Sequence, residues 1–118
     1  MKEGVDAVII SNHGGRYIDS SVAPIQVLPE IRDAVGEKFP LIVDSGPRRG
    51  SDIIKALALG ANLVMSGRPT LYGAAFNGKE GAYRVLEILR DETDTLMAQL
   101  GLRSIDEIGS QILWSNPD

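Results

Sequence analysis

Apolar residues along the chain follow two different periodicities. Three short runs are almost wholly apolar: Ala7–Ile10, Leu41–Val43 and Leu63–Met65. Unbroken hydrophobicity over so few residues predicts parallel strands covered on both faces. Between them the spacing changes to that of a helix. Over Pro24–Val35, Ile25, Leu28, Ile31 and Val35 share one face, and Gly36 follows as a stop. Over Ser51–Leu59 the pattern repeats, with Ser51 as the expected N-cap and Gly60 as the C-terminal stop.

Beyond the third run the pattern predicts a short helix from Thr70 to Ala75 and a glycine-containing loop over Asn77–Gly81. A longer amphipathic helix should then run from about residue 82 to 100 and end at Gly101. Its expected apolar stripe is Val85, Leu86, Leu89, Leu96 and Leu100. Arg103–Ile108 fits a last short helix with Ser104 as cap and Glu107 at the capping-box position. The tail from Gln111 to Asp118 reads as an extended exit, with Trp114 packing or anchoring it, and Met65 and Leu71 are expected in the core.

The order βαβαβα implies right-handed crossovers and a parallel sheet, either doubly wound or part of a (β/α) barrel. Both architectures bind ligands at the carboxyl ends of the strands. The residues able to do chemistry lie there. Ser11-Asn12-His13-Gly14-Gly15-Arg16 follows the first run and holds the only histidine of the chain. An imidazole that titrates near neutrality beside a permanently charged guanidinium suits proton removal from a substrate whose carboxylate is clamped. Asp44-Ser45-Gly46-Pro47-Arg48-Arg49-Gly50 follows the second run. Leading into a helix, it should offer free backbone N–H groups and cationic side chains to an anion, with Asp44 suited to a sugar hydroxyl or to the arginine itself. Ser66-Gly67-Arg68-Pro69 repeats this after the third run, and the Thr70–Ala75 helix matches the small helix that often completes a barrel phosphate site. Singly, each of these has a structural explanation: a turn, a satisfied core histidine, a solvated arginine. Arg49 and Lys55 are read that way, as solvated or ion-paired. At three successive strand ends, together they point to a phosphate-bearing ligand.

Composition narrows the class. The chain has 118 residues, 43% hydrophobic and 24% charged, enough for one globular unit. A net charge of -4 argues against a nucleic-acid binder or an acidic-membrane binder, which need a sustained basic face. With no cysteine there is no disulfide, zinc cluster or thiol nucleophile, and no metal site is expected. No segment approaches the roughly 20 apolar residues of a membrane span, so the expectation is a cytoplasmic protein. The abrupt start in a strand-like segment suggests a piece of something longer.

The three segments Ser-Asn-His-Gly-Gly-Arg, Asp-Ser-Gly-Pro-Arg-Arg-Gly-Ser-Asp-Ile-Ile-Lys-Ala-Leu-Ala-Leu-Gly-Ala and Gly-Arg-Pro-Thr-Leu-Tyr-Gly, in this order and spacing, resemble the C-terminal part of the FMN-dependent α-hydroxy acid dehydrogenases. That family includes glycolate oxidase, lactate oxidase or dehydrogenase, and mandelate dehydrogenase. The resemblance covers nearly the whole chain. It implies an α/β fold, the C-terminal portion of a TIM (β/α)8 barrel, with residues 1–118 forming a partial domain: the last three β/α units, a closing helix and a tail. It also implies FMN as cofactor and oxidation of a small L-2-hydroxy acid to the 2-oxo acid. By resemblance, His13 is the active-site base, taking the α-proton or the hydroxyl proton, and Arg16 binds the substrate carboxylate. Ser11 contacts the flavin ring. Asp44, Ser45, Gly46, Pro47 and Arg48 wrap ribose and phosphate, and Gly67 and Arg68 complete the phosphate site.

Departures from the family pattern are few. Pro47 replaces a small or apolar residue and removes an N–H, Tyr17-Ile18 replaces Gln-Leu, and Ser45 stands where glycine is commoner. The larger departure is size, since a barrel takes about 250 residues and eight strands. The partners implied are a missing N-terminal barrel half, or self-association through the open sheet. The alternatives are a non-catalytic FMN- or phosphate-binding remnant, a partner-dependent split subunit, or a fragment of a barrel isomerase or other phosphate-binding enzyme, against which the Ser11–Arg16 motif argues.

Overall fold

The computed structural model describes residues 4–114. Three strands, β1 (Val8–Ile10), β2 (Leu41–Val43) and β3 (Leu63–Val64), form a parallel sheet in the order β1-β2-β3. Helices α1 (Pro24–Val35) and α2 (Gly50–Ala58) make the crossovers, and α3 (Arg68–Gln99) follows β3. The register pairs Ile9 with Ile42 and Ile42 with Leu63, and the ladder continues past the strands through Asp44 N–H to the Ile10 carbonyl and Met65 N–H to the Val43 carbonyl. Ser11, Asp44 and Met65 therefore stand level at one rim.

Side chains alternate across a strand, and only one face of this sheet is covered. Ile10, Leu41, Val43 and Ala61 pack with Leu28 of α1 and Ala56 of α2 in a single core. The opposite row, Ile9, Ile42 and Leu63, faces away from the helices, and Ile9 and Leu63 remain 53% and 51% exposed. The expectation of strands covered on both faces fails for this reason: three strands cannot curl far enough to close a second layer over their own inner face. Met65 and Leu71, expected in the core, are likewise exposed, Leu71 to 65%.

α3 is interrupted where the sequence placed a loop. Asn77 (φ -149°, ψ 40°) and Gly78 (φ 53°, ψ -138°) leave helical geometry and divide it into a short arm and a long arm. Across this break the backbones of Gly73 and Gly81 touch, leaving no room for a Cβ at either position. The long arm buries Gly81 and then Leu89, Thr93 and Met97, the last three spaced by four. Leu86 and Leu100, assigned to the stripe from sequence, are exposed. Gly60 and Gly101 end α2 and α3 as expected, each in a Schellman arrangement: Gly60 N–H bonds to Leu57 and Ala61 N–H to Ala56, while Gly101 N–H bonds to Ala98 and Leu102 N–H to Met97. Arg103–Ile108 yields a single 3-10 turn, Ile105–Glu107, and the Glu107 carboxylate accepts from Arg103 N–H rather than completing a box with Ser104. Ser110–Ile112 is a second 3-10 turn where an extended tail was expected. Trp114 is 83% exposed and anchors nothing, and residues 115–118 of that tail lie outside the described residues.

Two polar clasps lock the helices to the sheet. At the rim opposite Ser11 and Asp44, Arg32 of α1 donates to the carbonyls of Gly36, Phe39 and Gly60 and to Asn62 Oδ1 at 2.6–2.9 Å. Asn62 Oδ1 also accepts from Leu41 N–H at 2.9 Å, so one guanidinium ties the ends of α1 and α2 to the start of β2. The second clasp holds the start of α2. Its N-cap is Arg49, not Ser51. Asp52 accepts from the N–H groups of Arg48 and Arg49 at 2.9 and 3.0 Å, and Glu92 of α3 accepts from Gly50 N–H and Arg49 Nε, both at 2.9 Å. Gly50 lies directly on the backbone of Glu92 and Thr93, where any side chain would collide. The Gly50 N–H and the Arg49 guanidinium hold the Glu92 carboxyl below its ordinary range, and the same pairing raises Arg49.

Arg32→Ala leaves several half-buried carbonyls without donors and should lower stability by about 2 to 4 kcal/mol in urea unfolding, with little recovery in Arg32→Lys, because an ammonium cannot span the same fork. The Glu92 carboxylate is favoured by folding, so its contribution is complete above the ordinary carboxylate range and fades as pH falls through the lowered folded value. Stability measured against pH should therefore separate the wild type from Glu92→Gln at neutral pH and bring the two together in acid.

Candidate functional site

The three strand ends enclose one cleft of about 820 Å³. It is lined by Asn12–Arg16 after β1, Asp44–Arg48 after β2 and Met65–Pro69 after β3, with Leu71 of α3 and Ala23 and Pro24 of α1. Every residue singled out from sequence except Ser11 lines it. Ser11 lies just behind, one residue from Asn12. The cleft brings Arg16, Arg48 and Arg68 to one region against a single carboxylate, Asp44, so its field favours an anion.

The β1 end is a tight turn. His13–Gly15 forms one 3-10 turn, with His13 (φ 56°), Gly14 (φ 66°) and Gly15 (φ 73°) all in the left-handed region. For Gly14 and Gly15 this conformation is natural; for histidine it is uncommon and must be held by its surroundings. Asn12 Oδ1 accepts from Gly14 N–H at 2.9 Å, while Asn12 Nδ2 donates to the Val22 carbonyl at 3.3 Å. Arg68 reaches from the β3 end and donates to the Gly14 carbonyl. Its guanidinium lies against Gly14, and the positive φ of that residue is what favours glycine there.

The register explains the polar contacts behind the turn. Ser11 and Asp44 occupy equivalent positions one step past paired strands, so their side chains leave the same face, and Ser11 Oγ donates to Asp44 Oδ2 at 2.8 Å. Asp44 thus engages a serine, not an arginine, and leaves its other oxygen for a ligand. The free N–H groups expected at the start of α2 are not free: those of Arg48, Arg49 and Gly50 are taken by Asp52 and Glu92, and Pro47 has none. Two carboxylates already occupy that helix start, because a helix N-terminus attracts the nearest anion, whether side chain or ligand. From the β2 end, an incoming anion meets the Arg48 side chain. At the β3 end the short arm of α3 begins with Arg68 and Pro69, Gly67 is its N-cap, and Thr70 Oγ1 donates to the Gly67 carbonyl at 2.7 Å.

Three participants were missed by the sequence reading. Tyr17 packs edge-on against His13 at 5.0 Å between ring centroids, and Arg16 sits over the same ring at 5.4 Å. One aromatic therefore orients both members of the pair; its place beside Arg16 was visible, but in sequence a lone tyrosine carries no signal of stacking. Glu92 was missed because it lies 42 residues from Gly50. Ser66 Oγ is buried on the cleft wall and, among the described residues, has no hydrogen-bond partner. The open space around Gly67, beside the exposed Arg68 guanidinium, gives this wall room and charge for a phosphate-bearing group. The residues present thus fit FMN. Among the described residues no group of three or more His, Asp or Glu gathers to hold a metal, and no helix is long and apolar enough to cross a membrane.

Comparison with known proteins agrees with this geometry. A family model described as FMN-dependent dehydrogenase matches residues 1–115. The 2-hydroxyacid oxidase of Dictyostelium discoideum is 45% identical over 114 residues, covering 97% of this chain and 29% of its own. The L-lactate oxidase of Lactobacillus jensenii is 48% identical over 105 residues, covering 89% and 26%. Among solved structures, a soluble mutant of the membrane-associated (S)-mandelate dehydrogenase from Pseudomonas putida superimposes with a TM-score of 0.92 at 45% identity, over 98% of this chain and 32% of that one. The three βα units are thus part of a TIM barrel, and the chain spans about a third or less of the length of the proteins it matches. Because that match runs through all three strand-end motifs and nearly every residue between them, the chain belongs to the FMN-dependent dehydrogenase family.

Proposed function

We propose that this chain is the phosphate-binding and proton-accepting portion of an FMN-dependent oxidoreductase that converts an L-2-hydroxy acid to the 2-oxo acid. The observation that carries this reading is the convergence of His13, Arg16, Arg48 and Arg68 on one cleft at the carboxyl ends of three parallel strands. In it, Arg48, Gly67 and Arg68 hold the phosphate, and Asp44 with the Ser45–Pro47 backbone flanks the ribityl chain. FMN, when bound, supplies the acceptor for two electrons. The protein's own part is to position the substrate and take its proton. Arg16 pairs with the substrate carboxylate, which fixes the α-carbon beside His13, and the imidazole accepts a proton as the alcohol carbon is oxidised. Tyr17 packs against the His13 ring and under the Arg16 guanidinium. The guanidinium groups offset the negative charge that develops as the proton leaves.

The strands correspond, on this reading, to the sixth, seventh and eighth of the barrel. The bare row Ile9–Ile42–Leu63 supports the presence of a further barrel segment, since an apolar inner face and two open sheet edges are stable only when covered. A second reading, in which the chain alone binds FMN or another phosphoester without turnover, is supported by the cleft, whose lining these three strand ends, α1 and α3 supply.

The discriminating experiment places this chain within a complete barrel and follows flavin bleaching by lactate, mandelate or glycolate. The oxidoreductase reading expects bleaching by at least one of them, and its loss in His13→Gln with FMN still bound. Unchanged bleaching in His13→Gln overturns the assignment of His13, and flavin retention without bleaching by any hydroxy acid favours the binding module. Arg68→Ala should weaken FMN binding by about 1.5 to 3 kcal/mol, roughly ten- to 150-fold, in a fluorescence titration.

A further inference from the structure

Both amides that flank the His13 side chain end on one pair of hydroxyls. Gly14 N–H is shared between Ser45 Oγ at 3.0 Å and Asn12 Oδ1 at 2.9 Å, and His13 N–H donates to Ser11 Oγ at 3.1 Å. Ser11 gives its own proton to Asp44 Oδ2 at 2.8 Å, so the 3.2 Å contact between the two hydroxyls is donated by Ser45. The bonds therefore run in one direction, from the His13 turn through Ser45 and Ser11 to a carboxylate, and each polarises the next. Arg68 grips the Gly14 carbonyl in the same turn.

Ser45 itself has φ 71°, in the left-handed region that glycine adopts freely and serine does not. Glycine at this position would be the less strained choice. What serine adds is a hydroxyl, and that hydroxyl is spent on the His13 turn. We propose that Ser45 is a positioning residue for His13: its side chain anchors the strained turn to the end of β2 and so aims the imidazole into the cleft, a role separate from any contact with ribose or phosphate. The inference rests on the reading of His13 as proton acceptor only for its consequence in catalysis, not for the anchor.

Ser45→Gly separates anchoring from a merely structural role, because it relieves the backbone while removing the hydroxyl. In the full chain, the Gly14 amide should exchange with solvent about two- to fivefold faster in both Ser45→Gly and Ser45→Ala, since Asn12 Oδ1 still accepts from it. The imidazole resonances of His13, the only histidine in the chain, should shift in both. The melting temperature should stay level or rise in Ser45→Gly and fall in Ser45→Ala, which keeps the strain and loses the bond. Wild-type exchange at Gly14 with unmoved His13 resonances overturns the proposal. So does faster exchange spread equally over the Val43 and Ile54 amides, which marks general loosening. In the barrel saturated with FMN, Ser45→Gly should lower kcat. If the Gly14 and His13 signals change as expected but no hydroxy acid is oxidised even by wild type, the anchor stands and only the reading of His13 as proton acceptor falls.

Discussion

Parallel pairing in a fixed register is the constraint on which the rest depends. A one-residue slip would move every side chain to the opposite face. With Ile9, Ile42 and Leu63 in line, the residues one step beyond β1 and β2 are Ser11 and Asp44, and they meet at hydrogen-bond distance. The right-handed crossovers then bring three loops, far apart in sequence, to one rim.

What the register brings together, specific contacts hold in shape. The His13 turn places a histidine and two glycines at positive φ, and the hydroxyls of Ser11 and Ser45, the Asn12 amide and the Arg68 guanidinium sustain it. The loop after β2 is braced from behind, where Asp52 and Glu92 close the start of α2. This bracing has a chemical consequence. With those amides satisfied internally, the cleft offers an anion the side chains of Arg48 and Arg68 and the start of the short arm of α3. The close contact of Gly73 with Gly81 sets the direction of that arm.

Much of this was legible in the sequence, and the parts that were not share a cause. The strands, the crossover helices and the break near Asn77 follow from local periodicity and glycine placement, which act over a few residues. The strand-end position of His13, Arg16, Arg48 and Arg68 follows from the same pattern. Hidden were contacts between residues distant in the chain: Glu92 displacing Ser51 as the partner of the α2 start, Ser11 rather than an arginine on Asp44, and Arg32 reaching Gly60. The bare inner face was misjudged for a different reason. The runs Ala7–Ile10 and Leu63–Met65 carry the composition of strands buried on both sides, and that composition reports the barrel the sequence is suited to, not the area three strands can cover.

The most direct test is to titrate FMN and, separately, riboflavin into the isotope-labelled chain and follow the backbone amides by NMR. FMN should shift signals from His13–Arg16, Asp44–Arg48 and Ser66–Leu71 together, with one apparent affinity, and riboflavin, lacking the phosphate, should leave Ser66–Leu71 unmoved. Shifts confined to one loop or scattered over the helices, or equal responses of Ser66–Leu71 to both flavins, would contradict a single phosphate-binding cleft.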